Sequence, residues 1–273
     1  WTHACKPVTI SYLLSDSSIV IPCTQNEVNG LGGGGGAAGR ILKLSWDGEV
    51  LWDDIFVEEH YEPHHDVEPL PNGNILFITY ERKTFDEAML LGRENISDEI
   101  WPSYIIELQQ IDIDSSAIVW EWHLWDHTIQ DIFSDLSNFG NISENPEKLN
   151  INLGNLGGGG GASGDWIHLN SIDYNESLDL IAISSRKMNE FYFIDHSTTT
   201  LEASSDSGGN FNKGGDFIYR WGNPLNYNRG DESNQILQSQ HSVNWIYPSY
   251  PGGGDIILFN NRNEEVGSEV LQI

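Results

Sequence analysis

The sequence predicts an all-β chain, a β-propeller of four-stranded blades with short helices in rim insertions, and three features predict it. A unit recurs in which a His heads a strand, a turn follows, an apolar run of strand length comes next, and an arginine closes the unit. Its copies begin at Pro63-His64-His65-Asp66-Val67-Glu68-Pro69-Leu70, at Gly164-Asp165-Trp166-Ile167-His168-Leu169-Asn170-Ser171 and at Ser239-Gln240-His241-Ser242-Val243-Asn244-Trp245-Ile246. The apolar runs cover 75–79, 178–183 and 256–259 and lead to Arg82, Arg186 and Arg262. Secondly, Glu49-Val50-Leu51-Trp52, Ile118-Val119-Trp120-Glu121-Trp122 and Phe217-Ile218-Tyr219-Arg220-Trp221 each finish on a Trp, where an outer strand packs on the next sheet. Thirdly, hydrophobic content is only 38%, yet ten Trp, ten Tyr and ten Phe supply the large buried surfaces that stacked sheets need.

Taken in order, the first blade reads as strands over 9–14, 18–22, 40–45 and 49–52, with Trp46-Asp47-Gly48-Glu49 as the hairpin turn between the last two. The second blade follows over 65–70, 75–80, 104–109 and 117–122, and the third over 168–173, 178–184, 191–195 and 216–221. A fourth begins at His241, continues through 256–259 and stops within 269–273. Three and a half to four blades are therefore recognisable, forming one domain over 1–273. Two long insertions, 84–100 and 128–155, are each expected to hold a short helix, the first on Glu87-Ala88-Met89-Leu90-Leu91, and to shape a funnel on one rim. The five-glycine runs 32–36 and 157–161 read as loose linkers, or for the second as backbone able to approach a ligand beside His168.

A formal charge of −28 and a pI near 4.3 oppose nucleic-acid binding, which needs clustered Lys and Arg, and suit a saline or extracellular setting. No run of about 18 apolar residues is present, so no membrane-spanning helix is expected. The chain opens abruptly at Trp1-Thr2-His3, and a signal peptide is expected to precede it. Cys5 and Cys23 flank a hairpin and fit either a disulfide or two buried thiols. Three Asn-X-Ser sites, at Asn95, Asn141 and Asn175, are close to what chance gives in an Asn-rich chain.

The inner strand of each blade lines a propeller's central channel, so His65, His168 and His241 at equivalent positions are expected to converge there. Three imidazoles could hold zinc. Against that, the nearby arginines repel a cation, and Asn170 and Ser242 offer no carboxylate; Asp66 is the exception and is expected to orient a His. No metal and no cofactor is therefore expected. Guanidinium beside imidazole suits an oxyanion such as sulfate or phosphate, and a His in that setting can act as nucleophile with a second His as acid or base. Arg186 leads this reading; Arg82, Arg262 and His64 complete the candidate substrate-binding set, with ion pairs from Arg82 to Glu81 and from Arg262 to Glu264 as the structural alternative.

His64-His65-Asp66 with Pro69-Leu70-Pro71-Asn72-Gly73-Asn74, Asp165-Trp166-Ile167-His168-Leu169-Asn170-Ser171 with Ser184-Ser185-Arg186, and Gln240-His241 resemble the arylsulfotransferase family of bacterial aryl-sulfate sulfotransferases. The resemblance runs through nearly the whole chain and rests on the ordered set of motifs. It implies a six-bladed propeller that moves a sulfuryl group from a phenolic sulfate ester to a phenol, ping-pong through a sulfohistidine and without a nucleotide sulfate donor. It further implies His241 as nucleophile, His65, His168 and Arg186 as the groups that bind the sulfate oxygens and assist proton transfer, and Asn170 as a positioning residue. By the same resemblance the family chain continues past Ile273 and starts before the first blade seen here, so the domain is expected to be incomplete at both ends. The implied partners are a small aryl sulfate donor and a phenolic acceptor, in a secreted, periplasmic or cell-surface protein; a homo-oligomer is compatible with the sequence. The other readings are a non-catalytic extracellular propeller serving as a binding or structural module, and a metal- or quinone-dependent propeller oxidoreductase, for which no cofactor motif is visible.

Overall fold

Four small antiparallel sheets follow one another along the chain and are arranged as blades of a β-propeller. The computed structural model describes residues 3–8, 10–25, 31, 36–157, 164–262 and 267–273. The first blade comprises Tyr12–Leu13, Ile19–Thr24, Gly39–Leu44 and Val50–Ile55; the second comprises Tyr61–Pro69, Ile75–Glu81, Ser103–Asp112 and Ser115–His123. Leu169–Asn175, Leu180–Ser185, Glu190–Asp195 and Tyr219–Trp221 form the third, and His241–Trp245, Ile256–Asn260 and Glu269–Gln272 the fourth.

Apolar character along each second strand follows how many faces are covered. Ile75–Glu81 and Leu180–Ser185 have neighbouring blades on both sides and are buried along nearly their whole length, as continuous apolar runs demand. Ile256–Asn260 is covered on one face only, so Ile256 and Leu258 are buried while Ile257 and Phe259 are exposed. The core lies between the sheets in successive layers. Val20, Ile41 and Trp52 meet Val67, Phe77 and Ile106; Leu76, Ile78 and Trp122 meet Ile172, Ile181 and Tyr192; Ala182 and Phe191 meet Val243 and Leu258.

The closing tryptophans do what their recurrence predicts in the first two blades. Trp52 is fully buried and its indole N–H donates to Ser116 Oγ of the second blade at 3.2 Å, while Trp122 donates to the Gly215 carbonyl at 2.7 Å. Each buried indole thus keeps a hydrogen-bond partner while its ring fills the layer between blades. Trp221 packs 5.8 Å from the Phe191 ring in the third layer.

Near the axis the inner strands are stitched by side chains. Tyr12 Oη donates to Asp66 Oδ1 at 2.9 Å, and Asp66 Oδ2 accepts from the Ile172 N–H at 3.2 Å. Ser171 Oγ accepts from the Val243 N–H at 2.9 Å, and Asp173 Oδ2 from the Trp245 N–H at 2.6 Å. Asp66 therefore joins blades and does not orient a His.

The first insertion forms the expected helix, Phe85–Leu90, started by a capping box between Thr84 and Glu87. The second holds no α-helix: it carries a parallel pairing of Thr128–Ile129 with Leu149–Asn150 and a single 3₁₀ turn, Ile142–Glu144. Asn and Ser there bond the local backbone, as Asn141 Oδ1 does to the Ser143 N–H, and so compete with helical bonds. Among the described residues the other α-helix is Thr200–Ala203, started by a capping box between Thr199 and Glu202. The last strand of the third blade is shorter than expected because the Phe217 N–H bonds to the Glu147 carbonyl of the insertion. Cys5 and Cys23 form a disulfide, with Cα atoms 5.7 Å apart. Among the described residues, no helix is long and apolar enough to cross a membrane.

Candidate functional site

Each inner strand carries a register break where its His enters. The breaks fall between Pro63 and Val67, Leu169 and Ser171, and His241 and Asn244. Backbone φ is +60° at His65, +52° at His168 and +56° at Ser242. Non-glycine residues hold this left-handed conformation at a cost of about 1–3 kcal/mol, and such strain concentrates at functional sites. The stitching bonds fix how the repeats align: Asp66 and Ser171 each accept from the next blade, one residue past Ser171 and Ser242 respectively. The rank before them therefore holds His65, Asn170 and His241. His168 precedes its strand by one residue and comes from the lead-in, so the three imidazoles are not at equivalent positions, contrary to the expectation; the bulges shift the count, and Asn170 fills the third place.

The rings nevertheless converge. His65 and His168 lie with ring centroids 4.5 Å apart, and the Arg186 charge acts on both His65 and His241. Arg186 is placed by its own N–H, which donates to the His168 carbonyl at 3.0 Å. Its guanidinium has no ion pair or hydrogen bond with any described residue, in a chain of net charge −28. Burial, reinforced by the charges of His168 and Arg186, pushes His65 down to about 3. Burial also lowers His241, with Arg186 and His168 adding to it and the Ser239 carbonyl opposing. Both rings are thereby neutral near pH 7, with a lone pair on one nitrogen.

Which nitrogen that is follows from the partners. His241 Nδ1 faces the Ser239 carbonyl, an acceptor, at 3.0 Å and the Asn261 amide nitrogen, a donor, at 2.9 Å; the tautomer that donates to Ser239 leaves the lone pair on Nε2. His168 Nδ1 donates to Asp165 Oδ2 at 2.6 Å; Asp165 is fully buried, and although burial opposes ionisation, the His168 and Lys187 contacts hold its carboxyl below the usual range. His64 lies behind His65, buried and stacked on Tyr80 at 3.6 Å, its Nδ1 2.7 Å from His65 Nδ1; one of these nitrogens donates and the other accepts. Asn170 Nδ2 donates to the Gln240 carbonyl at 2.7 Å, and its buried Oδ1 has no partner among the described residues. An unmet buried acceptor costs about 1–3 kcal/mol, which a ligand donor would recover.

Two arginines stay out of the cluster. Arg82 pairs with Glu99 at 2.6 Å, while Glu81 is taken by Lys83 at 2.5 Å and His123 at 3.1 Å. Arg262 pairs with Glu269. The alternative partner Glu264 lies outside the described residues. Among the described residues, no three His, Cys, Asp or Glu side chains converge as a metal ion would require.

The sequence model of one family, Arylsulfotransferase (ASST), matches residues 31–269. The chain belongs to the arylsulfotransferase family. Membership supports an aryl-sulfotransferase type of function in general terms, and every candidate residue named above falls inside the matched region. No curated protein matches the chain. Among solved structures it is similar to Kuenenia stuttgartiensis hydrazine synthase, with 12% identity and a TM-score of 0.45 over 97% of this chain and 57% of that one.

Several neighbours of this His–Arg cluster were not singled out from the sequence. Asp165 had a signal, a carboxylate three residues before His168, yet the orienting role was expected of Asp66. Lys187, next to Arg186, reaches the Asp165 carboxylate at 3.2 Å. Gly36 closes on His65: its carbonyl accepts the His65 N–H at 2.8 Å, and a Cβ at Gly36 would lie 2.9 Å from the imidazole. Both glycine runs thus touch the cluster through their described ends, Gly36 and Gly157; residues 32–35 and 158–161 lie outside the described residues.

Proposed function

We propose that the chain transfers a sulfuryl group from a phenolic sulfate ester to a phenol, with His241 carrying the group in between. The observation that supports this most is the Arg186 guanidinium, without a carboxylate partner among the described residues and acting on the His65 and His241 imidazoles. A planar pair of N–H donors in a half-buried setting favours a sulfuryl group, whose oxygens gain charge as the aryl oxygen departs.

In the first half-reaction the Nε2 lone pair of His241 attacks sulfur, the sulfur–aryl-oxygen bond breaks, and the leaving oxygen takes the Nε2 proton of a doubly protonated His168, which keeps its Nδ1 proton against Asp165. In the second, the acceptor phenol oxygen attacks the same sulfur, the sulfur–nitrogen bond breaks, and the phenol proton returns to His168 Nε2. The proton that leaves with the first phenol is replaced by the one the acceptor phenol gives up, and no oxidant or nucleotide is consumed. His65 and Arg186 hold the sulfuryl oxygens, Asn170 Oδ1 accepts from the bound ligand, and His64 fixes the His65 ring. The Cys5–Cys23 disulfide supports a secreted, periplasmic or cell-surface setting.

Initial-rate kinetics with a nitrophenyl sulfate donor and a phenol acceptor test the reading. Parallel double-reciprocal lines are expected as the acceptor is varied, because donor and acceptor meet the enzyme in separate steps. Intersecting lines would contradict the covalent route.

A further inference from the structure

The His168 ring is held by more than its site requires for packing. Its Nδ1 donates to Asp165 Oδ2 at 2.6 Å, and Lys187 Nζ approaches the same oxygen at 3.2 Å. Lys187 Nζ also donates to the carbonyls of Asp165 at 2.5 Å and Gly157 at 2.8 Å, and the Gly157 N–H bonds to the Asp165 carbonyl at 2.8 Å. Asp165 is fully buried, and its other oxygen, Oδ1, meets no described donor at full hydrogen-bond geometry, with the Tyr80 hydroxyl the polar group that approaches the carboxylate. The carboxylate thus sits between one imidazole and one ammonium, and the ammonium is held by two backbone carbonyls. The groups that face His168 from the other elements are His65, with His64 behind it, His241, Arg186 and, behind Asp165, Tyr80.

We propose that Asp165 and Lys187 are a positioning pair that keeps the proton on His168 Nδ1, so that Nε2 alone exchanges a proton with the substrate oxygen. This rests on the sulfuryl-transfer reading for its purpose but not for its test. A carboxylate accepts and cannot donate, so the neutral ring is confined to the tautomer with Nε2 bare. Lys187 offsets the carboxylate charge. Without it a buried anion would face the imidazole alone and hold the ring in its charged form, unable to take the acceptor's proton. Neither residue touches the sulfuryl group; both act through His168.

Nitrogen-15 spectra of histidine-labelled protein, titrated with pH, read the tautomer and the protonation midpoint of His168 directly. In the native protein the neutral ring should show a pyrrole-type Nδ1 and a pyridine-type Nε2. Asp165→Asn, which keeps an acceptor oxygen, should retain this pattern, and Asp165→Ala should reverse it. Lys187→Met should move the His168 midpoint upward, because a cation that shares its counter-ion is removed, and Lys187→Arg should restore it. A native neutral ring protonated on Nε2 overturns the proposal even if Asp165→Ala fails to fold. So does a Lys187→Met midpoint that is unchanged or lower. If the spectra behave as expected while no sulfuryl group is ever transferred, the pair stands and the sulfuryl-transfer reading falls.

Discussion

Replacing Gly36 by Ala separates two costs that the structure keeps distinct. At Gly36 φ is +87°, a conformation that an L-residue adopts only with strain, and the new Cβ would lie 2.9 Å from Cε1 and Nδ1 and 3.0 Å from Cδ2 of His65. Gly73 has nearly the same φ, +91°, but a Cβ there meets nothing within 4 Å. Gly73→Ala should therefore show the backbone cost alone, about 1–2 kcal/mol. Gly36→Ala adds the contact. The His65 ring cannot swing away freely, because its Nδ1 is 2.7 Å from His64 Nδ1 and its centroid 4.5 Å from that of His168. Overpacking of this kind costs about 1–3 kcal/mol more. Urea unfolding should accordingly place Gly36→Ala below Gly73→Ala in stability by that margin. Cleavage of a nitrophenyl sulfate should fall at least tenfold in Gly36→Ala and stay near the native rate in Gly73→Ala. Equal stability and equal rates in the two variants would refute the claim that Gly36 sets the His65 ring.

Arg186→Lys keeps a charge but loses the planar pair of donors, and donor cleavage should drop by about a hundredfold to a thousandfold, corresponding to about 2.7–4 kcal/mol by analogy with removing one oxyanion donor; a loss below tenfold would deny Arg186 that role. His196 bridges the second and third blades, with Nε2 2.9 Å from Glu107 and Nδ1 2.9 Å from Asp179. Burial opposes its protonation, but the hydrogen bonds and charges of Glu107 and Asp179 outweigh it and raise the group above its ordinary 6.5. A raised imidazole stabilises the fold fully below the unfolded value and loses that contribution as pH climbs through the folded one. Urea titrations of the native protein and His196→Gln should therefore differ by about 1–3 kcal/mol at pH 6 and converge in mildly alkaline buffer; a gap that widens with pH would reverse the assignment.

Periodic features were legible in the sequence. Apolar runs such as 75–79 and 178–183 mark strands covered on both faces, and a Trp at the end of an outer strand marks the blade-to-blade layer, because both are set by which side of a sheet is buried. Spacing also brought His65, His168, His241 and Arg186 to one cluster. It failed where a bulge inserts a residue: His168 was counted as the equal of His65, although the interblade bonds of Asp66 and Ser171 put Asn170 in that rank. Pairings between distant segments were invisible as well. Arg82 and Arg262 closed their repeat units as Arg186 does, yet Glu99 from an insertion and Glu269 from the next strand claim them. Asp165 and Lys187 are separated by a whole hairpin turn, and only the folded backbone brings Lys187 Nζ onto the Asp165 carboxylate. In 128–155 the helical expectation gave way to Asn and Ser side chains that bond their own backbone.

The central claim, that His241 carries the transferred group, is tested most directly by trapping it. The protein would be mixed with a nitrophenyl sulfate in the absence of acceptor, quenched at alkaline pH where a sulfur–nitrogen bond survives, digested and analysed by mass spectrometry. One sulfuryl group on the peptide containing His241, absent in His241→Ala and discharged when a phenol is added before quenching, is the predicted result. A sulfuryl group on His168 or His65 instead, or turnover retained by His241→Ala, would contradict the account.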